Sequence, residues 1–420
     1  MRRVALLALV ALAGCGAQSG LRIAAPAQHK CGPSTATLGK VAYVSGRGLY
    51  VLDFATCRIA ALLTRGATGP VRLSPDGRWV AFGRASVVSI DGRQVLHPLD
   101  ATIAVGTGPP TWAWAPRSDL FAGVTSAGGL VVATPGGAPR RLLPDGFGAQ
   151  ALAFAPNGGL AVSRKLGHRR PELWIVDPSS GAKRLVYRDP SRSQTAALDL
   201  DGFAGAWLLF WRNTIGSASI AADGLPLDAV PAGGGPVKQL APLVLADTDF
   251  IERCGAGVVL AAGGLRETTL GKRLVATAPP SWRSRPLSPK WMSAIGPACS
   301  PDARTLAAAA GASHELRAFG DEGRAIWLYS LNGRRERQLT DEPPAGVSDE
   351  SPRWSRDGRF VLYVRSGPTR SNAEASGRLY LAPTGGRGTV HPIGPLAQVS
   401  PAPNYYGTYG WSNLVDWYQP

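Results

Sequence analysis

Short apolar runs alternate with polar turns along most of the chain, and one combination of the two recurs. The turn Ser74-Pro75-Asp76-Gly77 is followed by the apolar run WVAFG. Proline fixes φ, aspartate caps the turn and glycine accepts positive φ, so this stretch predicts a tight turn between antiparallel strands. Variants followed by apolar strands occur at 155–158, 300–303 and 355–358, with a weaker form at 115–118. A unit of four short strands repeated about every forty to fifty residues predicts a β-propeller.

The units number eight, or seven if the weak fifth (194–242) and sixth (243–290) merge. The first unit starts abruptly at Val41 and lacks a first strand, whereas residues 410–420, GWSNLVDWYQP, resemble a first strand with no successor. We therefore expect the C-terminal strand to insert as the innermost strand of the first blade, because closure leaves no blade short of a strand. The predicted fold is all-β, a single propeller of four-stranded blades over residues 38–420, closed by that strand.

The N-terminus predicts export. Residues 1–14, MRRVALLALVALAG, combine two arginines with an apolar run too short to span a bilayer as a mature helix, as in a signal peptide. The sequence Leu12-Ala13-Gly14-Cys15 resembles a bacterial lipobox, in which the cysteine thiol takes a diacylglycerol. We expect a membrane-anchored lipoprotein on the extracytoplasmic side, lipidated at Cys15, with residues 15–37 as a tether. The alternative is an ordinary signal peptide followed by a chance cysteine.

Four further cysteines lie in a compartment that permits disulfides: Cys31, Cys57, Cys254 and Cys299. We favour Cys31 with Cys57, both near the first blade, and Cys254 with Cys299, which fall near equivalent turns of neighbouring blades. Free thiols are the alternative. Structural zinc is disfavoured because the chain has no CxxC and no nearby histidine pair.

The formal net charge is +16, from 45 Lys and Arg against 29 Asp and Glu. A basic exported protein favours anionic lipid head groups or wall polymers. The other interpretation is a compositional bias spread evenly over the surface. No nucleic-acid partner is expected, because no basic stripe with interleaved aromatic residues occurs.

The repeats resemble the TolB-type, or WD-like, propeller repeats of bacterial envelope proteins. The resemblance rests on LSPDGRWVAF, on RWSRDGRFVLYV and on the hairpins ending in RQLT and LVYRD. It implies a propeller in the cell envelope. TolB has a further α/β domain ahead of its propeller. Only about twenty residues separate Cys15 from the first blade here, so we do not expect that domain and do not carry TolB's partnership over. The same repeats occur beside a hydrolase domain in prolyl-oligopeptidase-like enzymes, for which this chain has no room.

Sequence motifs for catalysis are missing. The chain contains no GxSxG elbow, no HExxH and no phosphate-binding glycine pattern, and its histidines are scattered over separate units. We therefore predict no catalytic residue, no metal and no cofactor. The expected function is a non-catalytic scaffold that binds an envelope protein or a cell-wall ligand. The alternative is a carbohydrate lyase or hydrolase acting in the propeller channel, which would need carboxylates or a metal cluster converging there.

Long polar loops between the second and third strands of the last three units mark a candidate binding sector, because binding usually resides in loops on a rigid scaffold. Tolerated loop growth without a ligand is the alternative. The predicted binding-loop residues are Arg317, Asp321, Glu322, Arg365, Arg370, Asn372 and Glu374.

Overall fold

The computed structural model describes residues 31–97, 111–167, 169–191, 195–214, 224–246, 248–264, 270–312, 323–333, 336–344, 346–367, 375–402 and 410–420. The described residues form eight blades of four antiparallel strands, which confirms the propeller and favours eight units over seven. Within this part of the chain, none of the helical turns has the length or the apolar character needed to cross a membrane.

The strands are given blade by blade, each from its first to its fourth strand. Blade 1 consists of Val415–Tyr418, Lys40–Ser45, Gly48–Asp53 and Arg58–Leu63, and blade 2 of Val71–Leu73, Trp79–Phe82, Ser86–Ser89 and Val95–Leu96. Blade 3 consists of Trp112–Trp114, Phe121–Val124, Leu130–Ala133 and Arg140–Leu143, and blade 4 of Ala149–Phe154, Leu160–Arg164, Glu172–Val176 and Lys183–Arg188. Blade 5 consists of Thr195–Ala204, Trp207–Thr214, Leu225–Pro231 and Lys238–Val244, and blade 6 of Ile251–Cys254, Gly257–Ala262, Arg273–Thr277 and Arg285–Pro286. Blade 7 consists of Met292–Cys299, Thr305–Ala312, Ala325–Ser330 and Glu336–Gln338, and blade 8 of Ser348–Trp354, Phe360–Ser366, Ala375–Pro383 and Ile393–Ala402. Short 3-10 turns occupy Pro33–Thr35, Thr248–Phe250 and Trp411–Asn413.

The recurring turn owes its stability to its own side chains. In blade 2, Ser74 Oγ accepts the amide of Trp79 at 3.0 Å and donates to Asp76 Oδ1 at 2.5 Å, while Asp76 accepts the amide of Arg78 at 3.0 Å. Gly77 follows with φ 69°, in the left-handed region. The turns that begin at Ser300 and Ser355 repeat this arrangement in blades 7 and 8. The serine and aspartate of the motif are therefore structural.

The C-terminal strand supplies the missing first strand of blade 1, as the sequence predicts. It pairs antiparallel with Lys40–Ser45, so that Trp417 lies opposite Val41. Trp417 Nε1 donates to the carbonyl of Leu38 at 2.6 Å, and the Tyr418 ring lies where a Cβ on Gly77 of blade 2 would be. The first and last described strands thus meet in one sheet, packed against the next blade.

Alternating apolar residues from neighbouring blades form the core. One buried cluster runs through blades 5 to 8, and another joins blades 8, 1 and 2 and includes fully buried Trp411. Burying one large apolar side chain stabilises the fold by ~1.5–3 kcal/mol. The largest apolar contribution therefore lies between blades rather than within a single sheet.

Two disulfides fasten the fold, and they join the pairs that the sequence favoured. Cys31 is bonded to Cys57, with Cα atoms 5.7 Å apart, and Cys254 of blade 6 is bonded to Cys299 of blade 7, with Cα atoms 5.6 Å apart. Residues 31–37, which the sequence analysis assigned to the tether, are held on blade 1, and Thr35 among them is fully buried. Residues 31–37 therefore pack on blade 1 in the part of the chain that the structure describes.

Arginines on fourth strands bind the next blade at four interfaces. Each donates to main-chain carbonyls in the following blade's turn between its third and fourth strands. The pairs are Arg140 with Pro178, Arg184 with Ala232 and Gly233, Arg285 with Leu331, and Arg337 with Thr384 and Gly388. Because a guanidinium presents several donors in a fixed plane, it can serve two carbonyls at once. We call these four residues the interblade arginines.

Candidate functional site

Of the predicted binding-loop residues, the structure describes Arg365 alone. Arg317, Asp321, Glu322, Arg370, Asn372 and Glu374 lie outside the described residues, as do Cys15 and the signal peptide. Arg365 donates from Nε to Asp349 Oδ1 at 2.6 Å and from Nη2 to Asp349 Oδ2 at 2.8 Å. These bonds raise the pKa of Arg365, while burial raises the pKa of Asp349 against them. Arg365 thus joins two strands of blade 8 through a carboxylate of the protein itself.

A second buried charge, Glu350, lies at the start of the same blade. Its Oε2 accepts the indole N–H of Trp411 at 3.1 Å, and its Oε1 is 3.9 Å from Nη1 of fully buried Arg324. Burial raises the pKa of Glu350 to about 7, against the opposing effect of Arg324 and of the hydrogen bonds from Ser348 and Trp411. This carboxyl group therefore titrates near neutral pH and contacts the C-terminal segment directly.

Two arginines hold that segment from the neighbouring blades. Arg72 of blade 2 donates to the carbonyl of Ser412 at 2.9 Å, and Arg353 of blade 8 donates to the same carbonyl at 3.1 Å. Arg353 also lies 3.3 Å from Asp416, whose other oxygen accepts the amide of Leu73 at 2.7 Å. The charged side chains of Arg72 and Arg353 therefore hold the C-terminal segment in place.

A channel enzyme, the alternative function, would need carboxylates or a metal cluster in the channel. The first strands of blades 5 and 6 carry two carboxylates, Asp201 and Glu252. Asp201 pairs with Arg253, and Glu252 accepts the amide of Cys299 at 3.2 Å. Burial raises the pKa of Glu252, and the charge of Asp201 adds to the rise. Among the residues described, no three His, Cys, Asp or Glu side chains lie together in a way that could hold a metal ion.

A cleft of about 1430 Å³ opens between blades 7 and 8. It lies at the edge that carries the turns between first and second strands. Thr305–Ala312 and Phe360–Ser366, which lead into the predicted binding loops, end at the opposite edge. The residues that line the cleft come from the turns of both blades: Ser300, Pro301, Asp302, Thr305, Leu328, Tyr329, Ser330, Glu336, Arg337, Trp354, Arg356, Asp357, Gly358, Thr384, Gly386 and Arg387. We call this the 7/8 cleft.

Three of the six charged residues that line the 7/8 cleft, Asp302, Asp357 and Arg337, are engaged by the protein. Asp302 accepts the Ser300 hydroxyl at 2.6 Å and the Arg304 amide at 3.1 Å, and these bonds lower its pKa. Asp357 is held in the same way by Ser355 and Arg359; burial opposes the effect, but its pKa is still lowered. Both carboxylates are therefore committed to their turns.

Three charged side chains in the 7/8 cleft have no partner among the residues that the structure describes. Arg356, Arg387 and Glu336 have side chains that make no hydrogen bond or ion pair with any residue that the structure describes. All three are exposed, and partial burial raises the pKa of Glu336. The cleft therefore exposes two guanidinium groups and one carboxyl group that no described residue engages.

The walls of the 7/8 cleft are fixed on both sides. On the outside, Arg337 donates to Thr384 at 2.5 Å and to Gly388 at 3.0 Å, and the amide of Val390 donates to Leu339 at 2.9 Å. On the inside, the indole N–H of Trp354 donates to Ala298 at 2.9 Å. The free charges thus stand on a preformed frame, as is typical of binding sites.

A smaller cleft of about 570 Å³ occupies the corresponding position between blades 3 and 4. Its cations are Lys183 and Arg184. Arg184 is occupied by the carbonyls of Ala232 and Gly233, and the Lys183 ammonium lies 5.9 Å from the Phe147 ring centroid. The two unengaged arginines distinguish the 7/8 cleft from this equivalent.

Sequence reasoning missed Arg356, Arg387 and Glu336. Arg356 sits inside the recurring turn and Arg387 inside a glycine-rich turn, so both read as ordinary turn residues. One signal was present, since Arg356 replaces the proline found at the second position of the other turns. Strand order shows on which side of the ring a turn lies. It does not show which turns of neighbouring blades come together across an interface.

Comparison with known proteins supports the fold. No family model matches the sequence, and no curated protein matches it. The structure is similar to one described as the eukaryotic initiation factor, with a TM-score of 0.55 and 13% identity, over 95% of this chain and 92% of that one. A putative TolB from Agrobacterium tumefaciens has a TM-score of 0.37 and 13% identity over 90% of this chain and 97% of its own. An oligogalacturonate lyase in complex with manganese has a TM-score of 0.45 and 12% identity over 81% and 94%. The first of these structures has a TM-score above 0.5, and at 13% identity its likeness shows the fold alone.

Proposed function

We propose that this chain is an exported, lipid-anchored β-propeller of the cell envelope that acts as a non-catalytic binding scaffold, with the 7/8 cleft as its binding site. The observation that carries the proposal is a set of charges in this cleft, Arg356, Arg387 and Glu336, that have no partner among the described residues and stand on turns held by their own hydrogen bonds. Charged groups that the fold does not use for itself are available for a partner.

Export and anchoring are supported by the N-terminal sequence and by the cysteines. Arg2 and Arg3 precede an apolar run that ends at a lipobox-like Cys15. The disulfides Cys31–Cys57 and Cys254–Cys299 suit an oxidising compartment. An acyl-modified cysteine with two or three chains would anchor the protein durably, since each buried methylene contributes ~0.8 kcal/mol.

Crosslinking in intact membranes followed by affinity capture tests this proposal. The variants are Cys15→Ala, which removes the lipid site, and Arg356→Ser with Arg387→Ser, which removes the free cations of the 7/8 cleft. Arg93→Ser with Arg117→Ser is the matched control, because it removes two exposed arginines from blades 2 and 3. We expect Cys15→Ala to leave the membrane fraction, and the cleft variant to lose a partner that the control retains.

The outcomes separate the parts of the proposal. Membrane retention of Cys15→Ala would overturn lipid anchoring. Capture of the same partners by the cleft variant and the wild type would overturn the 7/8 cleft as the binding site. A variant lacking residues 368–374 then tests the opposite face, where the sequence placed the binding sector.

A further inference from the structure

We infer that the 7/8 cleft takes an acidic peptide segment, with carboxylates of the peptide meeting Arg356 and Arg387. This inference rests on the proposed function and specifies its partner. It follows from three properties of the cleft: which charges are free, how large the cleft is, and how its walls are built.

The charged groups of the cleft that no described residue engages are mainly positive. Asp302 and Asp357 keep their negative charge, but they accept hydrogen bonds within their own turns, and Asp357 also pairs with Arg359 at 2.6 Å. Arg337 keeps its positive charge and donates to the carbonyls of Thr384 and Gly388. What remains is two guanidinium groups against one carboxyl group, Glu336. Guanidinium groups bind carboxylates through paired, charge-assisted hydrogen bonds, which are stronger than neutral ones.

The size of the cleft indicates a chain segment rather than a small molecule. Small-molecule sites occupy roughly 300–1,000 Å³, and the 7/8 cleft measures about 1430 Å³. Partly buried Trp354 lines it beside the charged turns, whereas Tyr329 and Leu328 are buried. A peptide offers carboxylates for the arginines and an apolar side chain for the exposed part of Trp354.

Concavity disfavours a membrane surface as the occupant. The two walls belong to different blades and are tied together on the outside through Arg337, so the lining lies between them. A flat bilayer can reach the rim of such a cleft but not Trp354, whereas an extended peptide can enter it. We therefore assign the site to a peptide, with anionic lipid as the outcome that would contradict the assignment.

The test measures binding of a fluorescent peptide of alternating Glu and Ser to the full chain carrying Cys15→Ala, by fluorescence anisotropy at low and high salt. The matched peptide has Gln in place of every Glu. We expect Arg356→Ser with Arg387→Ser to weaken binding of the acidic peptide by at least about tenfold, or ~1.4 kcal/mol. Arg93→Ser with Arg117→Ser should leave binding unchanged. Glu336→Gln should tighten binding severalfold, because it removes a like charge.

Four results would overturn the inference: no measurable binding of the acidic peptide, equal binding of the two peptides, equal weakening by the control pair, or arginine-dependent binding of phosphatidylglycerol vesicles without binding of the peptide. If the peptide fails while capture from membranes still depends on Arg356 and Arg387, this inference is wrong and the proposed function stands. If capture is also independent of them, both fail.

Discussion

Glu350 connects the pH of the surroundings to the stability of the C-terminal segment through one carboxyl group. Its indole partner, Trp411, is fully buried, and its cationic neighbour, Arg324, is fully buried as well. Removing a carboxylate from water favours its neutral form, so burial raises the pKa of Glu350 to about 7. An acid whose pKa is higher in the folded state binds more protons when folded than when unfolded.

Between the unfolded pKa, near 4.5, and about 7 the folded chain retains a proton that the unfolded chain releases. Stability therefore falls as pH rises through this window, by up to ~1.4 kcal/mol per unit from this group. We expect Glu350→Gln to remove this pH-dependent contribution to the free energy of unfolding, which amounts to no more than ~3 kcal/mol. Stability should then change less with pH than in the wild type. Urea unfolding at pH 5, 6, 7 and 8 measures it. Asp91→Asn, at an exposed carboxylate whose pKa is lowered by Ser89, should keep the wild-type slope. An unchanged slope in Glu350→Gln would contradict the prediction.

At the scale of the element, the C-terminal segment is held by contacts from three blades. Arg72 and Arg353 converge on the carbonyl of Ser412, Val415–Tyr418 pairs with Lys40–Ser45, and Trp411 fills the space beside Gly377. A Cβ on Gly377 would lie 2.4 Å from Val364 Cγ1 and 3.0 Å from the Trp411 ring, so the glycine is required by close approach. The segment acts as a strand and as a packing element together.

Trp411→Ala should therefore destabilise the fold by ~3–5 kcal/mol, the cost of emptying a large buried site. Trp291→Ala is the matched control, because that indole is 54% exposed and its removal should change the free energy of unfolding by less than ~0.5 kcal/mol. Urea midpoints of both variants give the comparison. Equal losses would show that the segment contributes little packing.

The interblade arginines are an element that repeats with the blades. Arg140, Arg184 and Arg285 each reach the turn between the third and fourth strands of the next blade, outside the 7/8 cleft. Replacing all three with Lys should cost a total of roughly 1–3 kcal/mol, because an ammonium cannot reproduce the planar donor geometry and exposed hydrogen bonds contribute modestly. Chemical denaturation measures the loss, against Arg47→Lys, Arg65→Lys and Arg117→Lys together as a control of equal charge. Identical midpoints for both triple variants would contradict the prediction.

The sequence predicted the elements well and their cross-blade contacts poorly. Ser74-Pro75-Asp76-Gly77 reveals its turn because every hydrogen bond that forms it is local. The C-terminal strand was predictable because Val41 begins a blade without a first strand. The interblade arginines and the 7/8 cleft were not, since Arg337 and Thr384 are distant in sequence and meet only when two blades pack. Arg365 was predicted as a surface group because its partner, Asp349, lies on another strand.

At the scale of the whole molecule, stability depends on interfaces between blades. The core clusters span several blades, and the first and last described strands meet in blade 1. Cys254–Cys299 adds a covalent link between blades 6 and 7 across a sequence separation of 45. This link lies where the sixth unit departs most from the repeat, with Cys254-Gly255-Ala256-Gly257 in place of the usual turn. The disulfide thus supports the interface at the weakest repeat.

Removing that link by Cys254→Ser with Cys299→Ser should lower the free energy of unfolding by ~2–4 kcal/mol, because a crosslink over this separation restricts the unfolded chain. Cys31→Ser with Cys57→Ser closes a shorter loop, with a separation of 26, and should cost somewhat less. Unfolding in urea with and without a reducing agent measures both, and reduction should destabilise the wild type by as much as the two double variants together. A wild type that is insensitive to reduction would show that the chain does not form these bonds, which would also remove a support for export. If reduction destabilises the wild type and the Cys254→Ser, Cys299→Ser variant equally, the effect comes from Cys31–Cys57 alone. Packing alone would then hold the interface between blades 6 and 7.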